Sequence, residues 1–145
     1  MSADAPTLYI AEPSAKYLVR PAVVVDCSAL AGIVFQEDWK DAALQRIAGR
    51  TLHAPNVLQT EITSVAVKKI RRGEIHAVDG LNQVLTMDIA LHEIDMQSVC
   101  NLAVRYQLSA YDAAYLWLAA DLQCPLATFD AKLATAAQAH LGSMP

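Results

Sequence analysis

The chain has 145 residues, 54% of them hydrophobic and 18% charged, and its 11 lysines and arginines against 15 aspartates and glutamates leave a formal charge of −4. That length suits one domain able to bury a core without staples, and the greasy composition favours a buried sheet covered by helices, with apolar surface to spare for a partner. The acidic balance excludes a global basic field for nucleic acid, and no apolar run approaches the roughly 18–20 residues of a membrane span.

Residues 1–20 contain Asp4, Pro6, Glu12 and Pro13 and lack the apolar core of a secretory leader. The expectation is an N-terminal extension over 1–20, either a flexible arm or an edge strand through Leu8-Tyr9-Ile10, ahead of a domain over 21–145. Cys27, Cys100 and Cys124 are odd in number and far apart. Without C-x-x-C spacing they read as buried thiols in a reducing cytoplasm.

Ala22-Val23-Val24-Val25 is a β-branched run without alternation, as a central strand buried on both faces requires. It ends in Asp26-Cys27-Ser28, where Ser28 is the better-placed helix cap and Asp26 sits one step early. Glu37–Ala48 predicts an amphipathic helix (Trp39, Ala42, Ala43, Ile47) stopped by Gly49. Thr51-Leu52-His53-Ala54 predicts a short strand, after which Pro55 opens a helix running to Arg72, with Gly73 as its stop.

On that helix Leu58, Ile62 and Val65 form the core stripe, and Glu61 lies within it. Neighbours three and four residues away are Val57, Leu58, Ser64 and Val65, so no basic partner is available along the helix. A core-facing carboxylate without a partner is costly, and Glu61 is therefore a candidate functional or metal-binding acid. The basic run Lys68, Lys69, Arg71, Arg72 fits a helix C-terminus, where cations complement the dipole; a phosphate-binding patch is the alternative.

Glu74–Met87 predicts a helix with Ile75, Val78, Leu81 and Leu85 facing in. Ile89–Ile94 predicts a third strand, with Glu93 and Asp95 as second-tier acids near its end, and Asp95 also placed to cap a helix whose Val99, Leu102 and Ala103 face in. The stretch Ser109–Asp130 reads as a nearly all-apolar helix, a turn, a buried strand Leu126–Phe129 and an acid at its end. Only Asp112 and Asp121 are charged on that helix, and at about 100° per residue they point to opposite sides. The apolar surface of 110–122, including Tyr111, Tyr115, Trp117 and Leu118, exceeds what one sheet face needs, leaving a dimer or partner interface as one reading. A final helix covers Leu133–His140.

Strands separated by helical crossovers imply an α/β fold, a parallel sheet of four to five strands sandwiched between two helical layers. In such a sheet Asp26 and Asp130 follow their strands at the carboxyl edge, where ligands bind. Glu61 and Asp112 lie in the first turns of helices that start at the same edge. A capping box Ser109-x-x-Asp112 accounts for one acid but not for the convergence of four. Clustered carboxylates repel, and a hard divalent cation resolves the repulsion. With His53, His76, His92 and His140 scattered and no Cys in a ligand pattern, all-oxygen donors point to Mg²⁺ or Mn²⁺.

VVVDCSAL at 23–30, LQTEITSV at 58–65, YQLSAYDAAYLWLA at 106–119 and PLATFDAKL at 125–133 together resemble the PIN domain family, and within it the VapC-like toxins of type II toxin–antitoxin pairs. The resemblance spans residues 22–141. It implies a Mg²⁺/Mn²⁺-dependent single-strand-type ribonuclease, usually homodimeric and held inactive by a small antitoxin. The family's acids fall on Asp26, Glu61, Asp112 and Asp130, and its hydroxyl positions on Ser28 and Thr128. Other readings stay open at this point. A binding-only PIN module would keep the same acids. An aspartate-based phosphatase or phosphoacceptor would want a second acid beside or two residues after Asp26, where Cys27 and Ser28 stand.

Overall fold

The computed structural model describes residues 6, 8, 9, 11 and 20–144. In chain order the elements are β1 (Ala22–Val25), α1 (Cys27–Val34), α2 (Lys40–Ile47), β2 (Thr51–Pro55), α3 (Val57–Arg71), α4 (Ala77–Thr86), β3 (Ile89–His92), α5 (Met96–Tyr106), α6 (Ala110–Leu122), β4 (Leu126–Ala127) and α7 (Ala131–Gly142). This is the predicted alternation. The four strands form one parallel sheet in the order β3-β2-β1-β4, flanked by helices. Leu8 and Tyr9 belong to no strand and are exposed; Ile10 and the rest of the predicted extension lie outside the described residues, apart from Pro6, Ala11 and Arg20.

β1 shows why an unbroken valine run makes a central strand. Val24 packs with Leu30, Ile33, Leu58, Ile62, Tyr115 and Leu118, whereas Val23 and Val25 pack with Ala29 and Ala127. Successive side chains enter opposite layers, and each fully buried valine or leucine contributes about 1.5–3 kcal/mol. Gly49 and Gly73, read as helix stops, adopt φ of +70° and +89°, as residues just past a helix end commonly do.

Several boundaries move for identifiable reasons. Pro55 closes β2 instead of opening α3: it pairs with His92, and the Asn56 N–H bonds the His92 carbonyl at 2.9 Å. β4 stops two residues early because Thr128 and Phe129 turn toward β1. α7 starts at Ala131 because Asp130 caps it, its carboxylate accepting from the Leu133 N–H at 2.8 Å. Glu37 stays outside α2 and pairs with Lys69 at 2.6 Å. Arg72 donates to the Lys68 carbonyl at 3.3 Å, so the basic run closes α3 as predicted. Asp95 occupies the cap position of α5 without a side-chain cap bond, and instead accepts from Ser98.

Two faces differ from expectation. α4 turns Ala77, Gly80, Leu81 and Val84 inward and leaves Val78 and Leu85 exposed, while Ile75 falls in the turn before the helix and is exposed too. The cause is close approach: a Cβ at Gly80 would lie 2.5 Å from the Phe35 ring and 2.8 Å from the Val34 carbonyl, so α4 meets α1 through its smallest residues. α6 is consumed by its own domain, with Ala113, Ala114, Tyr115, Leu116, Leu118 and Ala119 buried against α5, α7 and the sheet. Of the interface predicted on it, Tyr111 stays 57% exposed. The thiols are not uniformly buried either, since Cys100 is exposed on the outer side of α5.

Candidate active site

The sheet order determines where a ligand site can form. The chain runs outward from β1 to β2 and β3, then returns to place β4 on the other side of β1. Parallel sheets bind ligands in the crevice beyond the carboxyl ends of their strands where the winding reverses, which here is beyond β1 and β4. Asp26 and Asp130 flank that crevice. Glu61 comes from the second turn of α3 and Asp112 from the first turn of α6.

Asp26 is only 4% exposed and caps α1. One of its oxygens accepts from the Ser28 hydroxyl at 2.7 Å and the Ala29 N–H at 2.9 Å; the other accepts from the Thr128 hydroxyl. The cap is thus Asp26 and not Ser28, because α1 begins at Cys27 and leaves Asp26 the last extended residue. Ser28 instead bridges, accepting the Phe129 N–H at 2.9 Å, while Thr128 accepts the Asp130 N–H at 2.9 Å. The two hydroxyls approach to 3.4 Å, and each has already given its single proton to Asp26. Together they clamp the end of β4 to the end of β1.

Glu61 is half-buried and finds its partner in Tyr115, whose hydroxyl donates to Oε1 at 2.6 Å. Sequence reasoning missed this contact because it spans 54 residues. The available signal was a phenol three residues after Asp112, on the face that Asp112 presents to the sheet edge. The Ser109 hydroxyl accepts the Asp112 N–H at 3.1 Å, one half of the predicted capping box.

Electrostatics ties these acids together. Burial raises the Asp26 carboxyl above its ordinary range, its three hydrogen bonds oppose this, and the charge of Asp130 adds to the rise. Glu61 is raised by burial, relieved by Tyr115, and raised again by Asp112 and Asp26. Asp112 is raised by burial and then by Asp130 and Asp26, against small relief from Ser109 and Lys132. Lys132, in the first turn of α7, is a cation beside the cluster that the sequence reading passed over. Burial, followed by Glu61 and Asp26, pushes the Cys27 thiol up to about 12, which keeps it protonated and inert at neutral pH.

Other acids stay apart. Asp121 is exposed on α6, and Glu93 and Asp95 are exposed beyond β3. β3 lies two strands from β1, roughly 10 Å at ordinary strand spacing, and neither acid is among the charges felt by Asp26, Glu61 or Asp112. The histidines are less scattered than they read: His53 Nδ1 and His92 Nε2 come within 2.9 Å across β2 and β3. Among the described residues, no three His, Cys, Asp or Glu side chains close into a metal cage. The acidic cluster is therefore splayed, and its fit to a cation rests on donor chemistry: carboxylate oxygens that repel one another, which a hard divalent ion would bridge.

A parallel α/β domain with carboxylates gathered at its switch point defines the class. The chain belongs to the PIN domain family, whose model matches residues 23–139. It is 32% identical over 121 residues to VapC ribonuclease Mb0985 of Mycobacterium bovis and to ribonuclease VapC9 of Mycobacterium tuberculosis, covering 81% of this chain and 93% of each relative. Among solved structures, PAE2754 from Pyrobaculum aerophilum matches with a TM-score of 0.65 at 22% identity, over 85% of this chain and 88% of that one. At that identity the likeness is one of fold.

Proposed function

We propose that this chain is the toxin of a type II toxin–antitoxin system, a Mg²⁺- or Mn²⁺-dependent endoribonuclease acting in the cytoplasm. The observation that carries the reading is the electrostatic coupling of Asp26, Glu61, Asp112 and Asp130 at one crevice. The relatives named as VapC ribonucleases support the same activity.

Asp26, Asp112 and Asp130 would hold the ion, with Glu61 as a further ligand or as the group that positions the attacking water. A bound divalent ion supplies Lewis-acid stabilisation of phosphodiester oxygens and lowers the pKa of water. Asp26 is locked in one orientation by its three donors, which leave one lone pair, on Oδ2, for an ion. The Tyr115 bond occupies Glu61 Oε1 and leaves Oε2 to orient a water and accept its proton. Lys132 lends positive charge where an RNA phosphate would sit.

The protein partners in this reading are a second copy of the chain and a small antitoxin. The exposed Val78 and Leu85 of α4, with Ile75 in the turn before it, offer apolar surface for one of them. The test is cleavage of structured RNA by purified protein freed of antitoxin. Cutting should require Mg²⁺ or Mn²⁺, stop with EDTA, and fall by at least about 100-fold in Asp112→Asn. Undiminished cleavage by that variant would sink the assignment, and metal binding with no turnover on any RNA would leave a binding module.

A further inference from the structure

Two aromatic rings lie side by side at the rim of the acidic crevice, and Trp39 and Phe129 are each 42% exposed. Phe129 stands between Thr128 and Asp130, and its N–H bonds the same Ser28 hydroxyl that donates to Asp26. Trp39 arrives from the loop before α2 and is seated over α1 at Gly32, where a Cβ would lie 2.4 Å from its ring atoms Cδ1 and Nε1. The two rings meet with centroids 6.1 Å apart, tilted by 50°. Large rings usually bury themselves. These two are held open beside the candidate reacting centre.

Phe129 also borders a cleft of about 900 Å³ that runs along β4, the terminal strand of the sheet, toward Gln138 of α7. Its single charged lining residue is Arg46, with no acid among the described lining residues. An acidic protein thus keeps this cleft free of negative charge, with Thr128 and Phe129, the two residues before Asp130, on its border.

We propose that Trp39 and Phe129 form a stacking platform for an unpaired base of the substrate RNA, with the adjoining backbone passing into the cleft beside Arg46. This rests on the nuclease reading and names the side chains that would hold one base of its substrate. Aromatic faces accept any base, since every base has a π-face. Paired bases in a duplex have both faces covered by their neighbours. Arg46 supplies the cation that a phosphate needs.

The chain contains two tryptophans, so a Trp117→Phe protein reports on Trp39 alone. In EDTA, titration with a single-stranded RNA of about ten nucleotides should quench Trp39 fluorescence, and a matching oligomer with abasic sites should not. Phe129→Leu should weaken binding about tenfold, and Phe129→Tyr, which keeps the ring, should retain it. In cleavage assays the loss in Phe129→Leu should fall on KM more than on kcat. Equal quenching by the abasic oligomer, or unchanged binding by Phe129→Leu, overturns the platform. Quenching in a protein that cuts no RNA with any divalent ion upholds the platform and overturns the nuclease reading instead.

Discussion

Tyr115 is 1% exposed and spends its hydroxyl on Glu61. A hydrogen bond to a charged group contributes about 1.5–3 kcal/mol, so Tyr115→Phe should lower the unfolding free energy by about that amount at neutral pH, measured by urea denaturation. It should also slow cleavage, because the Glu61 carboxylate loses its fixed orientation. Asp112 carries the opposite sign. Its folded pKa is raised by burial and by neighbouring acids above the usual 3.8, so the native state binds more protons than the unfolded chain between those values. Stability in EDTA is therefore greatest below about pH 3.8 with respect to this group and falls as pH rises through its folded value. Asp112→Asn removes that penalty. At pH 7 it should be more stable than the parent by about 0.5–2 kcal/mol while inactive in cleavage, and the stability difference should vanish in acid. Thermal unfolding across pH measures both limbs.

The helices divide between those buried through their middle and those with an open face. α6 is buried through its middle, exposed only near its ends at Ala110, Tyr111 and Asp121, and Leu118 is fully buried; Leu118→Ala should cost about 2–5 kcal/mol through lost transfer energy and the cavity left behind. α4 packs through Gly80. In an exposed helix, alanine for glycine stabilises by roughly 0.5–1 kcal/mol. Here the added Cβ would lie 2.5 Å from Phe35 and 2.8 Å from a backbone carbonyl, so Gly80→Ala should destabilise by about 1–3 kcal/mol. An increase in stability would show that α4 can retreat from α1. Both are read from denaturant midpoints.

At the scale of the molecule, the four acids at the crevice equal the net charge of −4. One bound divalent ion would offset two of those four charges and a second the remaining two, lowering the repulsion that an acidic protein otherwise presents to a phosphate backbone. The outer stripe of α4 is the other whole-molecule feature. If Ile75, Val78 and Leu85 are where two copies meet, Val78→Glu with Leu85→Glu should convert a dimer to a monomer in light scattering and leave the fold intact. A parent protein that is monomeric at all concentrations would remove the dimer from the reading.

The sequence by itself determined the element order, the central position of the valine strand and the four candidate acids. Each of these is written in local features: an unbroken apolar run, a helical stripe, an acid directly after a strand. Even the end signals at Gly49 and Gly73 were readable, because glycine takes positive φ without steric cost, whereas Gln107 and Gln123 end their helices in the same conformation with no such mark in the sequence. What neighbours what across the sheet was decided only by tertiary structure. The helix-linked strands look alike along the chain, yet their order puts β4 beside β1 and β3 at the far edge. That order joins Asp130 to Asp26 and leaves Glu93 and Asp95 outside. The same holds for Tyr115 on Glu61, Trp39 on Phe129, and the inward turn of Gly80. Each depends on which side chains two distant segments bring into contact, and a one-dimensional pattern carries no distance between segments.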